Sequence, residues 1–424
     1  MLNRKQAPAI VDAVNFNLSL KPCEKYQLDN GVQVYSVDAG AEEVLQLEWV
    51  FCAGNHFEDK NLIAATANYL LRNGTNSKSS LEINEHFEYY GSYLNRNTFN
   101  ETATISLHCM SKHIEELLPV VKELISDSVM PQNELSLYQQ NMKQRLEVNL
   151  KKSDFVAGRL IDVALFGEQH PYGKYTSAKD FDALNREELL AFYKKFYQQG
   201  KFMLFVAGKI PKNLPTLLNK YFGDIEISNI ETPVPPIHPG TEKKLRINND
   251  PDGVQGSIRI ARPFPNRHDP DFMRVQVLNA VFGGFFGSRL MSNIREDKGY
   301  TYGIHSYLLN LQQHSAWMIS TEAGKDVCEA TIAEVYKEME ILRTELVDEE
   351  ELLLVRNYMM GGVLGDLDGP FSIIARWKNI ILNGQTEQYF YDTIKTVKTI
   401  TAEELRELAN KYLQPEAFYE LVVI

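Results

Sequence analysis

"NREELLAFYKKFYQQGKFMLFVAG", residues 185–208, and "TAEELRELANKYLQPEAFYELVVI", residues 401–424, align without a gap. Glu187, Glu188, Leu189, Lys195, Gln198, Phe202 and Val206 each meet an identical residue at the same offset. Each stretch reads as a polar cap, an amphipathic helix with apolar residues three and four apart, and then an apolar strand. A unit of helix and strand that recurs in both halves points to an internal duplication.

The likeness extends inward. "SKHIEELLPVVKELISD" and "GKDVCEATIAEVYKEME" are amphipathic helices after the strands "TATISLHCM" and "SAWMISTEA", and each precedes a second long helix, "NELSLYQQNMKQRLEVNLKK" or "DEEELLLVRNYMMGGVLGD". Residues 226–242 include "ISNIETPVPPIHPGTE", whose prolines stiffen a stretch with little periodicity, and serve as a linker. The expected organisation is a first domain over 1–225, the linker over 226–242 and a homologous second domain over 243–424. The expected fold class is α+β: two domains, each a mostly antiparallel sheet with helices packed on one face, facing each other across a chamber.

With 424 residues, 44% hydrophobic and 24% charged, the chain has the composition of a globular protein with more than one core. Its net charge of −12 and the lack of a Lys/Arg-rich block argue against nucleic acid as a partner. No run of about 18 apolar residues is present, so no membrane span is expected. Asp12 and Asn15 interrupt the stretch that a secretory signal would need. The four cysteines form no CxxC pair and read as free thiols, which with the other features points to the cytoplasm.

Several motifs stand in a specific order. Ala53, Gly54, His56 and Glu58 precede a helix that ends at Gly74 and Thr75; Gly91, Asn95 and Thr98 follow; "HPYG" occupies 170–173; and "VFGGFFGSRLMSNIREDKGYTYGIHS" lies in the second half. In this order the chain resembles the pitrilysin-like (insulinase) zinc peptidases, over most of its length and at the two-domain size of mitochondrial processing peptidase subunits. Such enzymes hold zinc through an inverted H-x-x-E-H. Residues i and i+4 lie one above the other on a helix face, so two His ligate one ion while the Glu at i+3 polarises its water.

Counted back from Gly74 and Thr75, the two His positions fall on Ala65 and Tyr69 and the Glu position on Asn68. Alanine has no donor atom, a phenol with an ordinary pKa near ~10 is a poor zinc ligand, and an amide cannot act as general base. The family's third ligand, a Glu in a later helix, corresponds to Glu147, or to Leu146 if no residue is inserted. The nine His offer no pair at i, i+3 or i, i+4, and neither His56-Phe-Glu58 nor His86-Phe-Glu88 has a second His. The expectation is a chain with no metal or other cofactor of its own, zinc being held only by a partner subunit.

"GSRLMSNIREDKG" reads as one short helix with Ser288 as its cap and Gly299 as its stop, and the following strand puts Tyr300, Tyr302 and Ile304 on one face. An Arg near a helix C-terminus and a Tyr in a strand are ordinary structural residues. The resemblance gives Arg295 and Tyr302 a second role, contact with the substrate backbone and with the oxygen of the scissile carbonyl. Both are donors able to stabilise an oxyanion. It also implies that substrate adds as a strand beside Asn95 and Thr98, although Arg96 replaces a small residue usual there.

The sequence therefore predicts a non-catalytic subunit that binds peptides and contributes Arg295 and Tyr302 in trans to a homologous zinc-bearing subunit. Two alternatives stand beside it: a non-enzymatic peptide-binding or scaffold homodimer, and an active metallopeptidase with a relocated metal.

Overall fold

The repeated segments take equivalent places in two sheets of the computed structural model, which describes residues 11–424. In the first sheet β1 (Glu24–Gln27), β2 (Gln33–Asp38), β3 (Val44–Phe51), β4 (Tyr93–Thr98), β5 (Ala103–Met110) and β6 (Phe202–Gly208) stand in the order β1-β2-β6-β3-β5-β4. In the second, β7 (Lys244–Ile247), β8 (Gln255–Phe264), β9 (Thr301–Asn310), β10 (Ser315–Gly324) and β11 (Tyr419–Val423) stand in the order β7-β11-β8-β10-β9. The repeat strands β6 and β11 each run parallel to an early strand of their half, β2 or β7, and antiparallel to the long strand β3 or β8. The remaining pairings are antiparallel. Five strands thus recur in one plan, and the fold is α+β.

Local chemistry sets the repeat helices. Asn185 Oδ1 accepts from the Glu188 N–H at 2.9 Å, and Thr401 Oγ1 accepts from the Glu404 N–H at 3.2 Å. Each satisfies a first-turn donor that has no partner within its helix. The helices Arg186–Tyr193 and Ala402–Tyr412 follow, the first running into a π turn over Lys194–Gln198. No helix or strand lies between Phe222 and Lys244, the span that contains the proline-rich stretch.

Each half also lends a helix to the other's sheet. The helix Ser153–Phe166 packs on β8 and β11, burying Ala157, Ile161 and Leu165 against Ala261, Met318 and Leu421. The helix Pro370–Leu382 packs on β2 and β6, where Ile373, Ile374 and Trp377 join the cluster of Val37, Val50 and Phe205. Each fully buried side chain of this size contributes about 1.5–3 kcal/mol. A partly buried ion pair fixes the second crossing, with Lys378 Nζ 2.6 Å from the carboxylate of the buried Glu48 on β3. Covered on both faces, the central strands show no polar alternation, as in "FMLFVAG" and, apart from the paired Glu420, "YELVV".

The outer strands carry the two motif regions. β4 pairs only with β5, leaving one edge of the first sheet open, and the helix Ile63–Leu70 packs beside it. β9 is the corresponding edge of the second sheet and holds the π-helical turn Met291–Asp297 against it.

Candidate functional site

Leu62, left-handed at φ +74°, turns the chain into the helix Ile63–Leu70. Glu58 caps this helix: its Oε2 accepts from the Ala64 N–H at 2.9 Å, and Lys174, next to the "HPYG" motif, binds its Oε1 at 2.8 Å. A carboxylate at a helix N-terminus is favoured by the dipole. Burial outweighs these partners and raises the Glu58 pKa. Gly173 is required by close packing, since a Cβ there would lie 2.2 Å from the carbonyl oxygen of Gly167.

The three positions at which the resemblance places the zinc motif are each used otherwise. Ala65 is half-buried and lines a cavity of about 420 Å³ together with Asn55, Thr98 and Lys174. Asn68 is buried and donates through Nδ2 to the Tyr197 hydroxyl at 3.0 Å and to the Thr104 carbonyl at 3.4 Å. Tyr69 is exposed, with its ring centroid 4.7 Å from that of Tyr138. In the helix Gln132–Asn149, Leu146 is buried in the core while Glu147 points to solvent.

Arg96 completes the arrangement. Its guanidinium lies 5.4 Å from the Tyr69 ring centre and donates through Nη1 to the Tyr69 carbonyl, while its Nε is buried without a partner. Burial, with Arg72 nearby, lowers the Arg96 pKa to about 10. An alanine, an amide that donates its protons inward, a phenol and an adjoining guanidinium do not fit a zinc ion. Among the described residues no group of three or more His, Cys, Asp or Glu is placed to hold a metal.

Asn95 and Thr98 sit half-buried on the open edge strand β4, and Asn95 Oδ1 accepts from the Arg96 N–H at 2.9 Å. Arg72 Nη1 donates to the Leu94 carbonyl at 3.2 Å, so part of the strand is already engaged by side chains.

The second half brings Arg295 and Tyr302 together. The Arg295 guanidinium lies 5.5 Å from the Tyr302 ring centre and 4.6 Å from that of Phe286. Tyr302 is 90% exposed and Phe286 is 61% exposed. Among the described residues Arg295 has no ion pair, and neither Arg295 nor Tyr302 makes a hydrogen bond through its side chain. No hydrogen bond or ring contact joins this pair to Ala65, Asn68 or Tyr69.

The local helix differs from the expected one. Residues 291–297 form a π-helical turn, with the Lys298 N–H bonded to the Asn293 carbonyl at 3.0 Å. The Ser288 hydroxyl is buried without a partner and does not cap it. The Ser288 carbonyl instead accepts from the Ser292 N–H at 3.0 Å, while Gly299, at φ +66°, supplies the left-handed stop.

Two groups escape sequence reasoning. Phe286 becomes visible only when its exposure beside Arg295 is known. His56, His170 and His314 converge from both halves, with the His170 ring centroid 5.8 Å from that of His56 and 5.5 Å from that of His314. Burial, reinforced by the neighbouring imidazoles, lowers the His56 pKa to about 4; burial also lowers those of His170 and His314. His56 and the "HPYG" motif stand out in the sequence, but nothing there shows that they converge with His314.

Comparisons with known proteins agree with this architecture. Residues 183–359 match the family description "Peptidase M16 inactive domain". An "uncharacterized zinc protease" of Bacillus subtilis is 22% identical over 408 residues, covering 95% of this chain and 98% of that protein. A "probable mitochondrial-processing peptidase subunit beta" of Schizosaccharomyces pombe is 25% identical over 51% of this chain and 49% of its own. A crystal structure titled as a peptidase M16 inactive domain from Pseudomonas fluorescens superposes with a TM-score of 0.83 at 22% identity, covering 95% of this chain and 98% of that one. A protease from Helicobacter pylori superposes with a TM-score of 0.86 at 16% identity, covering 96% of this chain and 100% of that one. Residues 183–359 thus match the M16 inactive-domain family, and over nearly its whole length the chain is similar to a protein named as a zinc protease and shares its fold with M16-type structures.

Proposed function

We propose that this chain is a non-catalytic subunit of an M16 peptidase, binding peptide and contributing Arg295 and Tyr302 in trans to the site of a homologous zinc-bearing partner. The observation that carries this reading is an asymmetry between the halves. The helix Ile63–Leu70 uses its three motif positions for a cavity wall, an inward hydrogen bond and a ring contact. Arg295 and Tyr302 are adjacent, and no hydrogen bond or ion pair within the described residues uses up their side chains. Both keep donors free for the oxygen of a substrate carbonyl, where developing negative charge is stabilised by fixed donors. A relative named as a subunit beta supports a role within an assembly.

Peptide would add along the open edge of β4, where Asn95 and Thr98 lie and main-chain hydrogen bonds supply affinity. That open edge equally favours the second reading, a homodimer that holds peptides without cutting them. No helix of the described residues is long and apolar enough to cross a membrane. The four cysteines are free thiols, which supports a place in the reducing cytoplasm.

The test is peptide cleavage by this chain alone, by a zinc-bearing paralogue alone and by their mixture. Activity confined to the mixture, and lost with Arg295→Ala, is expected. Cleavage accompanied by stoichiometric zinc in the isolated chain would refute the non-catalytic reading, and peptide binding with no cleavage in any mixture would select the homodimer.

A further inference from the structure

A cavity of about 400 Å³ lies in the second half of the chain. Its wall is formed by Arg267 from the segment after β8, Gln276 from the helix Phe272–Gly283, Asn310 at the end of β9, Asp366 after the helix Glu349–Gly365, and Arg376 and Asn379 from the crossing helix Pro370–Leu382. None of these residues belongs to the Arg295–Tyr302 pair or to the helix Ile63–Leu70.

The charge in this cavity is unbalanced. Arg267 is 8% exposed, and its one side-chain hydrogen bond runs from Nη1 to the neutral Asn379 Oδ1 at 2.6 Å. No carboxylate among the described residues lies within ion-pair distance of it. Arg376 pairs through Nη1 with Asp366 at 3.2 Å, and that carboxylate is half-exposed. The Nε–H groups of both arginines are buried without partners. Burial lowers the Arg267 pKa, and the charge of Arg376 lowers it further.

A buried guanidinium with no counter-charge is costly, and a second one nearby adds repulsion. The chain as a whole is strongly acidic, at −12, so this local excess of positive charge does not follow from composition. Guanidinium groups present parallel N–H donors that match the two oxygens of a carboxylate or phosphoryl group. Gln276 and Asn310 add neutral amides at the wall. The volume falls within the range of small-molecule sites, roughly 300–1,000 Å³.

We infer that this cavity is a binding site for a small oxyanion, a phosphoryl or carboxylate group clamped between Arg267 and Arg376. The inference is independent of the proposed peptidase role, because it involves other residues and needs no partner subunit. An anion held here would tie the segment after β8 to the crossing helix Pro370–Leu382, so its binding stabilises the fold by mass action.

The full chain is titrated with inorganic phosphate and, separately, with citrate, at constant ionic strength maintained with sodium chloride. Binding is read by calorimetry and by the shift in Tm. Saturable binding at one site per chain is expected for at least one anion. Phosphate alone identifies a phosphoryl ligand, citrate alone a carboxylate, and both a shared oxyanion site. Arg376→Gln weakens binding at least tenfold. Asp366→Asn, which removes the competing carboxylate, tightens it severalfold; this outward-facing change keeps the test decisive if Arg267→Gln does not fold. Neither anion exceeding chloride, or binding unaltered by both Arg376→Gln and Asp366→Asn, overturns the assignment.

Discussion

Replacing Arg295 by alanine separates a catalytic contribution from a structural one. The guanidinium touches two exposed rings, at 4.6 and 5.5 Å, and has no ion pair among the described residues. Exposed cation–π contacts of this kind contribute about 0.5–1 kcal/mol each, so the folded chain loses little, on the order of 1 kcal/mol and a few degrees in Tm. If the same group meets the oxyanion of a substrate held by a partner subunit, its loss lowers kcat by about 10²–10³, or roughly 3–4 kcal/mol of transition-state stabilisation. Tyr302→Phe is the finer probe. It removes one hydroxyl from a side chain that is 90% exposed, so stability stays unchanged while kcat falls. The assay mixes each variant with the zinc-bearing paralogue and measures kcat and KM on a fluorogenic peptide, with assembly followed by analytical ultracentrifugation. Intact assembly with kcat within twofold of the parent for both variants refutes the role assigned to the pair. A loss that tracks dissociation of the assembly reassigns these residues to the interface.

Other perturbations test the surrounding structure. Asn68→Glu places a carboxylate where the resemblance expects the motif's acidic residue but replaces a buried amide that donates to Tyr197 and Thr104; a loss of about 2–4 kcal/mol in urea unfolding is expected, with no gain in zinc binding. Lys378→Met leaves Glu48, itself 7% exposed, without its partner; about 2–4 kcal/mol is lost, most of it recovered when Glu48→Gln is added in a double-mutant cycle. His56, lowered to about 4, is neutral in the folded chain below the pH at which an unfolded His takes up its proton. Its contribution is therefore complete above about pH 6.5 and is lost as the pH falls toward 4, by on the order of 2 kcal/mol after allowance for solvent screening. Urea titrations at several pH values check this, and His56→Gln should flatten the slope over that window; an unchanged slope contradicts the assignment.

Much of the architecture was legible because duplication left matching residues in the strands and helices that end each half. Caps at Asn185 and Thr401 and the apolar strands after them are local signals, and local signals survive in a single sequence. The exchange of helices was not legible. An amphipathic pattern in residues 153–166 or 370–382 says that one face is buried, but not against which sheet. The π turn at Met291–Asp297 escaped for a related reason, since Ser288 has the composition of a cap while packing decides whether its hydroxyl is used. Arg267 and Arg376 lie far apart in the chain, and only folding reveals that they share a cavity.

The ligand-free helix is more than a helix from which ligands have been removed. Asn68 satisfies its donors on Thr104 and Tyr197, Tyr69 rests on Tyr138, and Arg96 lays its guanidinium against Tyr69 from the neighbouring strand. Leu146, at the position reached without an insertion, is buried in the core. A carboxylate at buried Asn68 would be a buried charge, and a change at Tyr69 would remove a ring contact and a guanidinium contact together. Such mutual support is what distinguishes an adapted surface from a decayed one. Arg96→Ala and Tyr69→His, tested singly and together, should accordingly be non-additive in stability by about 0.5–2 kcal/mol, because both remove the same guanidinium–phenol contact. Additive losses would mean that the two residues settle there independently, and the helix would then be only a remnant.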